Sequence, residues 1–178
     1  GLAALMLAKA MGANKLIGVE MNDYRIKLAK DLGLVDVVIK PGENALDEIL
    51  AATGGMGAER AFDCSASDAG RQLAIRGTRE WGKIAFVGEG NTCTFNPSPD
   101  IIHGQKTIYG SWVTSLWRME ELVERLVRWG IHPDQLITNE FPLEKAGEAY
   151  ALMAGGQCGK VAVVFDLSLI HISEPTRH

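Results

Sequence analysis

The sequence predicts an α/β chain whose strands form a doubly wound parallel sheet, and three observations carry that reading. Short apolar runs rich in Val and Ile alternate with helical patterns along nearly the whole chain. Such alternation sets strands parallel in one sheet with helices on both faces. The helical stretches repeat apolar residues at i, i+3 and i+4, and Gly or Pro punctuates the junctions. Finally, the first strand ends on an acid, Glu20, about twenty residues after a glycine at a helix start.

In order, Leu2 to Met11 reads as an alanine-rich helix stopped by Gly12-Ala13, and Lys15 to Val19 as a strand. A helix from Asp23 to Leu32 ends at Gly33, and Val35 to Ile39 is a buried strand closed by Pro41-Gly42. Ala45 to Thr53 is helical, with Leu46, Ile49 and Leu50 on one face, and Gly54-Gly55 stop it. Arg60 to Cys64 is the next strand, Ala69 to Arg79 a helix, and Lys83 to Val87 a strand ending in Gly88. Glu89 to Asp100, with two prolines, reads as a loop before the strand Thr107 to Gly110. The helix Leu116 to Trp129 carries Met119, Leu122, Val123, Leu126 and Val127 as its buried stripe. Pro142 opens a last helix to Met153, and Lys160 to Phe165 is a final strand.

Ligands of such sheets bind outside the carboxyl ends of the strands. The residues there are Glu20, Cys64-Ser65-Ala66, Val87-Gly88-Glu89 and Gly110-Ser111-Trp112. Small residues suit a flat cofactor lying on strand ends, and they equally suit tight turns. Glu20 tips the balance toward a dinucleotide. A helix N-terminus at Gly1 and Leu2 would face a pyrophosphate, and the carboxylate would accept hydrogen bonds from a ribose diol. Gly1 can only be the third glycine of a G-x-G-x-x-G, so the expectation is a Rossmann sheet truncated at its N-terminus and lacking its first central strand.

Composition excludes other classes. The 178 residues are 47% hydrophobic and 22% charged, ordinary for a globular domain. A net charge of -4 without a basic run gives no footprint for nucleic acid or an anionic membrane. No apolar run approaches the roughly 20 residues of a membrane span. Cys64, Cys93 and Cys158 lie far apart in no paired framework, as expected of a reducing compartment such as the cytoplasm.

From Gly1 to Phe165 the sequence resembles the coenzyme-binding domain of the zinc-dependent, medium-chain alcohol and polyol dehydrogenases. The matching pieces are Gly1-Leu2-Ala3-Ala4 with Gly12-Ala13, Ile17-Gly18-Val19-Glu20, Ala61-Phe62-Asp63-Cys64-Ser65, and Gly82 to Gly88. Ile137-Thr138 with Phe141-Pro142-Leu143, and Gly159-Lys160-Val161, complete them. The resemblance implies hydride transfer between an alcohol or polyol and NAD. It sets Glu20 on the adenosine ribose, Arg25 near the adenosine, and Val87 and Gly88, with Ser111, at the nicotinamide end. Cys64 would face the cofactor and Lys160 would lie near the pyrophosphate. It further implies residues 1–166 as the nucleotide-binding domain, with 160–166 joining an absent catalytic domain that carries the zinc ligands and most substrate contacts. A homo-oligomer, dimer or tetramer, with contacts near Thr107 to Tyr109, is expected. His103 and His132 read as exposed turn residues rather than ligands. Zinc-free NADPH quinone reductases and methyltransferases are the competing families. The former usually carry a smaller or basic residue at the Glu20 position, and the latter end their sheets in an antiparallel hairpin.

The tail, residues 167–178, departs from this pattern and resembles a sequencing-library adapter read through in frame. The expectation is a non-native end on a gene fragment of environmental origin, in which His171 and Glu174 carry no function.

Overall fold

The structure is a computed structural model and describes residues 1–165. The contacts divide the chain into two compact units, Gly1–His132 and Pro133 onward. The boundary at Asp166 read from the sequence, and the tail with His171 and Glu174, lie outside the described residues.

In the first unit Gly1 caps helix α1 (Leu2–Ala10). Strand β1 (Ile17–Val19) pairs in parallel with β2 (Val37–Ile39), Ile17 opposite Val37. Gly18 leaves room for Val35, whose Cγ2 would lie 3.2 Å from a Cβ there, while Leu5 of α1 stands at ordinary contact distance, 3.9 Å. Between the strands runs α2 (Asp23–Asp31), whose Asn22 side chain accepts from the Arg25 amide at 3.2 Å. Helix α3 (Ala45–Ala52) closes a core of Ile39, Ala45 and Ile49, against which Ile17, Val37 and Leu73 pack.

A second sheet follows the order β3 (Ala58–Asp63), β4 (Thr78–Phe86), β5 (Thr107–Gly110), all parallel. Helix α4 (Asp68–Arg76) packs on β3 and β4, burying Ile75 completely, as Ile84 of β4 is. Leu73 of α4 joins the core beneath β1 and β2. The two sheets share packing but no ladder: no described strand hydrogen-bonds β1 to β3.

Details of this unit differ from the sequence reading. The helix expected to reach Arg79 stops at Arg76, and Thr78 and Arg79 already belong to β4. Thr78 pairs with Ala58, and its hydroxyl donates to Ala74 O at 2.7 Å, closing the helix end. Within β4, Trp81 sits at φ 59° and its amide donates to Gly104 O at 2.8 Å, so the strand shifts register before Lys83. The Glu89–Asp100 loop ends in a π-helical turn, Ser98–Ile102. Helix α5 (Leu116–Trp129) forms as predicted, but none of its residues is buried, and Met119, Val123 and Val127 are exposed. Periodicity fixes where the apolar stripe lies, whereas burial needs an element to cover it.

In the second unit, strand β6 (Ile137–Pro142) pairs in parallel with β7 (Lys160–Val164), and helix α6 (Ala146–Gly155) packs on both. Strand β6 escaped the sequence reading because Thr138, Asn139 and Glu140 interrupt its apolar pattern. Pro142 ends that strand, and a 3-10 turn, Leu143–Lys145, precedes α6. Leu136, Ala149 and Cys158 form the unit's buried centre.

Two outcomes follow from this packing. Ile84→Ala should lower unfolding free energy by about 2–5 kcal/mol, read from the denaturant midpoint, since the side chain is wholly buried. Asp100 accepts from the Asn96 amide at 2.8 Å and pairs with Arg76 at 3.3 Å, which together hold its carboxyl below the usual range near 3.8. A depressed value stabilises the π-helical turn above pH 3.8 and loses that effect as pH falls through the folded value. Amide exchange around Asn96–Asp100 should therefore lose protection in acid in the wild type and show no such acid step in Asp100→Asn.

Candidate functional site

The site is built where β1, β3, β4 and β5 end. At β1, the Glu20 amide donates to Ile39 O at 3.1 Å, extending the β1–β2 ladder by one residue. Its side chain turns toward the start of α2, where Oε1 accepts from the amides of Met21 (2.8 Å) and Asn22 (2.9 Å). The carboxylate is thereby fixed at the strand end by backbone donors, and it remains half-buried. Arg25 follows in the first turn of α2, also half-buried.

The ends of β3, β4 and β5 are joined by backbone bonds. Val87 and Gly88 amides both donate to Asp63 O, at 2.9 and 3.0 Å, and the Ser111 amide donates to Phe86 O at 3.0 Å. Cys64, Val87 and Ser111 are exposed there, and the aligned ends of Asp63, Phe86 and Gly110 set these three, with Gly88, along the carboxyl end of one sheet. Gly88 is held to glycine by its own chain, because a Cβ would fall 2.5 Å from the Ala66 amide nitrogen. Gly1 and Leu2 stand at the N-terminus of α1, which has no side-chain cap. Lys160 is exposed at the start of β7, opposite Ile137, and so belongs to the second unit and not to these sheets.

Sequence reasoning missed the residues that hold the strand ends in place. Asp63 is 4% exposed, and its carboxylate accepts from Ser65 N (3.0 Å), Ser65 Oγ (2.6 Å) and Ala66 N (3.2 Å). Arg71 of α4 is 8% exposed and lies against it, Nε to Oδ2 3.4 Å, an ionic contact without hydrogen-bond geometry. An aspartate at a strand end before Ser-x-Ser was a readable sign of a tight turn. Nothing local in the sequence marks Arg71 as buried.

The described residues do not fit a metal centre. No three His, Cys, Asp or Glu side chains among them converge to hold an ion. His103 and His132 are exposed, as read from the sequence. No described helix is long and apolar enough to cross a membrane. An open hollow of about 320 Å³ lies on the face of the β3–β4–β5 sheet, lined by Arg60, Phe62, Lys83, Ala85 and Tyr109.

Comparison with known proteins supplies the family. The family model for zinc-binding dehydrogenases matches residues 1–128. An uncharacterized zinc-type alcohol dehydrogenase-like protein of Escherichia coli (strain K12) is 45% identical over 165 residues, covering 93% of this chain and 47% of that protein. Benzyl alcohol dehydrogenase from Acinetobacter calcoaceticus superposes with a TM-score of 0.81 at 28% identity, over 92% of this chain and 46% of that one. A short chain alcohol dehydrogenase from E. coli CFT073, solved with NADH, has the same fold at TM-score 0.79 and 20% identity, over 92% of this chain and 49% of its own. The chain thus spans about half the length of the relatives it matches. It has their α/β, Rossmann-type architecture with parallel strand pairs. The chain belongs to the zinc-binding dehydrogenase family.

Proposed function

We propose that this chain is the NAD(H)-binding part of a zinc-dependent oxidoreductase that moves a hydride between an alcohol or polyol carbon and the nicotinamide ring. The observation that carries the reading is Glu20, fixed at the end of β1 by the Met21 and Asn22 amides. A carboxylate there accepts hydrogen bonds from both hydroxyls of an adenosine ribose and repels a 2′-phosphate. The N-terminus of α1, at Gly1 and Leu2, suits the pyrophosphate. The rest of an extended dinucleotide would cross the ends of β3 and β4, where Cys64, Val87 and Gly88 lie, with Ser111 beside them. Arg25 would flank the adenosine, and Lys160 is assigned to the pyrophosphate on resemblance alone. The NADH held by a protein of the same fold supports the cofactor.

What the described residues can do is bind and orient the dinucleotide. Ligands for zinc are not among them, and the reaction is assigned to the longer protein whose relatives this chain matches over half their length. The rivals remain as outcomes of the test. A zinc-free quinone reductase would take NADPH, which Glu20 opposes. A methyltransferase would show an antiparallel pair, and every described strand pair is parallel. Self-association through β5 is also proposed, since among the described strands β5 pairs only with β4 and presents its other edge; a sedimenting mass of one copy would remove it.

The test is a titration of the chain with NADH and NADPH, following nicotinamide fluorescence. NADH should bind more tightly than NADPH, and Glu20→Ala should weaken NADH at least about tenfold, as loss of hydrogen bonds to a charged group worth about 1.5–3 kcal/mol requires. NADPH binding as tightly as NADH would move the protein to the reductase branch. Binding of neither by a folded sample would remove the dinucleotide site.

A further inference from the structure

The Arg71 guanidinium does more than neutralise Asp63. Its Nη2 donates to Gly88 O at 2.7 Å, and Nη1 donates to Asn91 O (3.1 Å) and Thr92 O (3.2 Å). The group also lies 5.5 Å from the ring centre of Phe86, the last residue of β4. Three carbonyls of the loop after β4 therefore converge on one buried cation. Asp63, on the other side of that cation, gathers the Ser65 and Ala66 amides of the turn after β3. A second strut parallels the first: Asn91 Nδ2 donates to Ala66 O at 3.0 Å. Ala66 and Asn91 both sit at positive φ, 58° and 55°, a conformation that asparagine adopts readily and alanine seldom does.

The loop is thus held by a fork planted in a neighbouring helix rather than by its own sequence. A guanidinium suits this place because its planar donors stay fixed relative to one another and its charge is never lost. A lysine ammonium at the same distance could meet one or two of these partners, not the fan of three carbonyls plus the carboxylate.

We propose that Arg71, paired with Asp63, is a positioning residue that couples the turn Cys64–Ser67 to the loop Gly88–Thr92 and so sets the half of the dinucleotide site at the ends of β3 and β4. The proposal rests on the cofactor reading above, in which Glu20 serves the adenosine half. It separates the two halves: disturbing Arg71 alters the β3–β4 end and leaves the β1 end intact.

The test uses Arg71→Lys and Asn91→Gly in the 178-residue chain. Asn91→Gly keeps the positive φ, removes the parallel strut on an exposed side chain and loosens the loop backbone at that position, so a rise in exchange at residues 64–67 is the part that tests the coupling where the buried substitution fails to fold. Two readouts are taken: amide exchange across residues 64–67 and 88–92, and affinities for NADH and for AMP. Exchange should rise in both segments together in each variant. NADH affinity should fall about tenfold in Arg71→Lys and severalfold in Asn91→Gly, with AMP affinity unchanged. Exchange rising in one segment alone, or NADH and AMP weakening in parallel, would overturn the proposal. Wild-type chain that binds neither nucleotide would instead break the cofactor reading, and the exchange result would still decide whether the two turns are coupled.

Discussion

The β3–β4 end of the site depends on one buried ion pair, Asp63 with Arg71. Both side chains are nearly sealed from solvent, 2% and 10% exposed, where an isolated charge would be expensive. They are tolerated because nearly every polar atom is used: the carboxylate takes donors from the turn after β3, and the guanidinium gives donors to the loop after β4. Such a pair adds little net stability over a well-packed apolar one, yet removing one partner costs about 3–5 kcal/mol because the other is stranded. Its value is geometric. It specifies where two strand-end turns lie relative to each other, which a hydrophobic contact would leave looser.

Glu20 solves a related problem by different means. It is tied to two consecutive amides at the start of α2, so the backbone of its own turn orients it. The two ends of the candidate site are therefore anchored independently, one by local backbone donors and one by a tertiary ion pair. Between them the sheet is broken, since β1 and β3 share no ladder. Packing of Leu73 against Ile39, Ala45 and Ile49 is what carries the first unit across that break. Side-chain packing of this kind is less directional than a hydrogen-bonded strand would be.

The open surfaces follow the same logic. Parallel sheets are ordinarily covered on both faces, and here Phe62 and Tyr109 stand half exposed on the uncovered face of β3–β4–β5. Helix α5 carries a well-formed apolar stripe without a buried residue. Both features belong to a chain that spans about half the length of its relatives.

By itself the sequence determined the alternation of elements, the glycine stop after the second helix, the parallel class, and the placement of Glu20, Cys64, Val87, Gly88 and Ser111 at strand ends. These are local properties: period, capping chemistry and turn residues act within a few positions of one another. Where β4 begins, that Ile137–Pro142 is a strand, and that the α5 stripe stays uncovered were decided by tertiary structure. A strand is defined by its partner, and burial by whatever covers it, and neither is written in the residues themselves. Arg71 shows the limit most clearly. On its helix it is one more cation in an amphipathic pattern, and only the fold places Asp63 and three loop carbonyls around it.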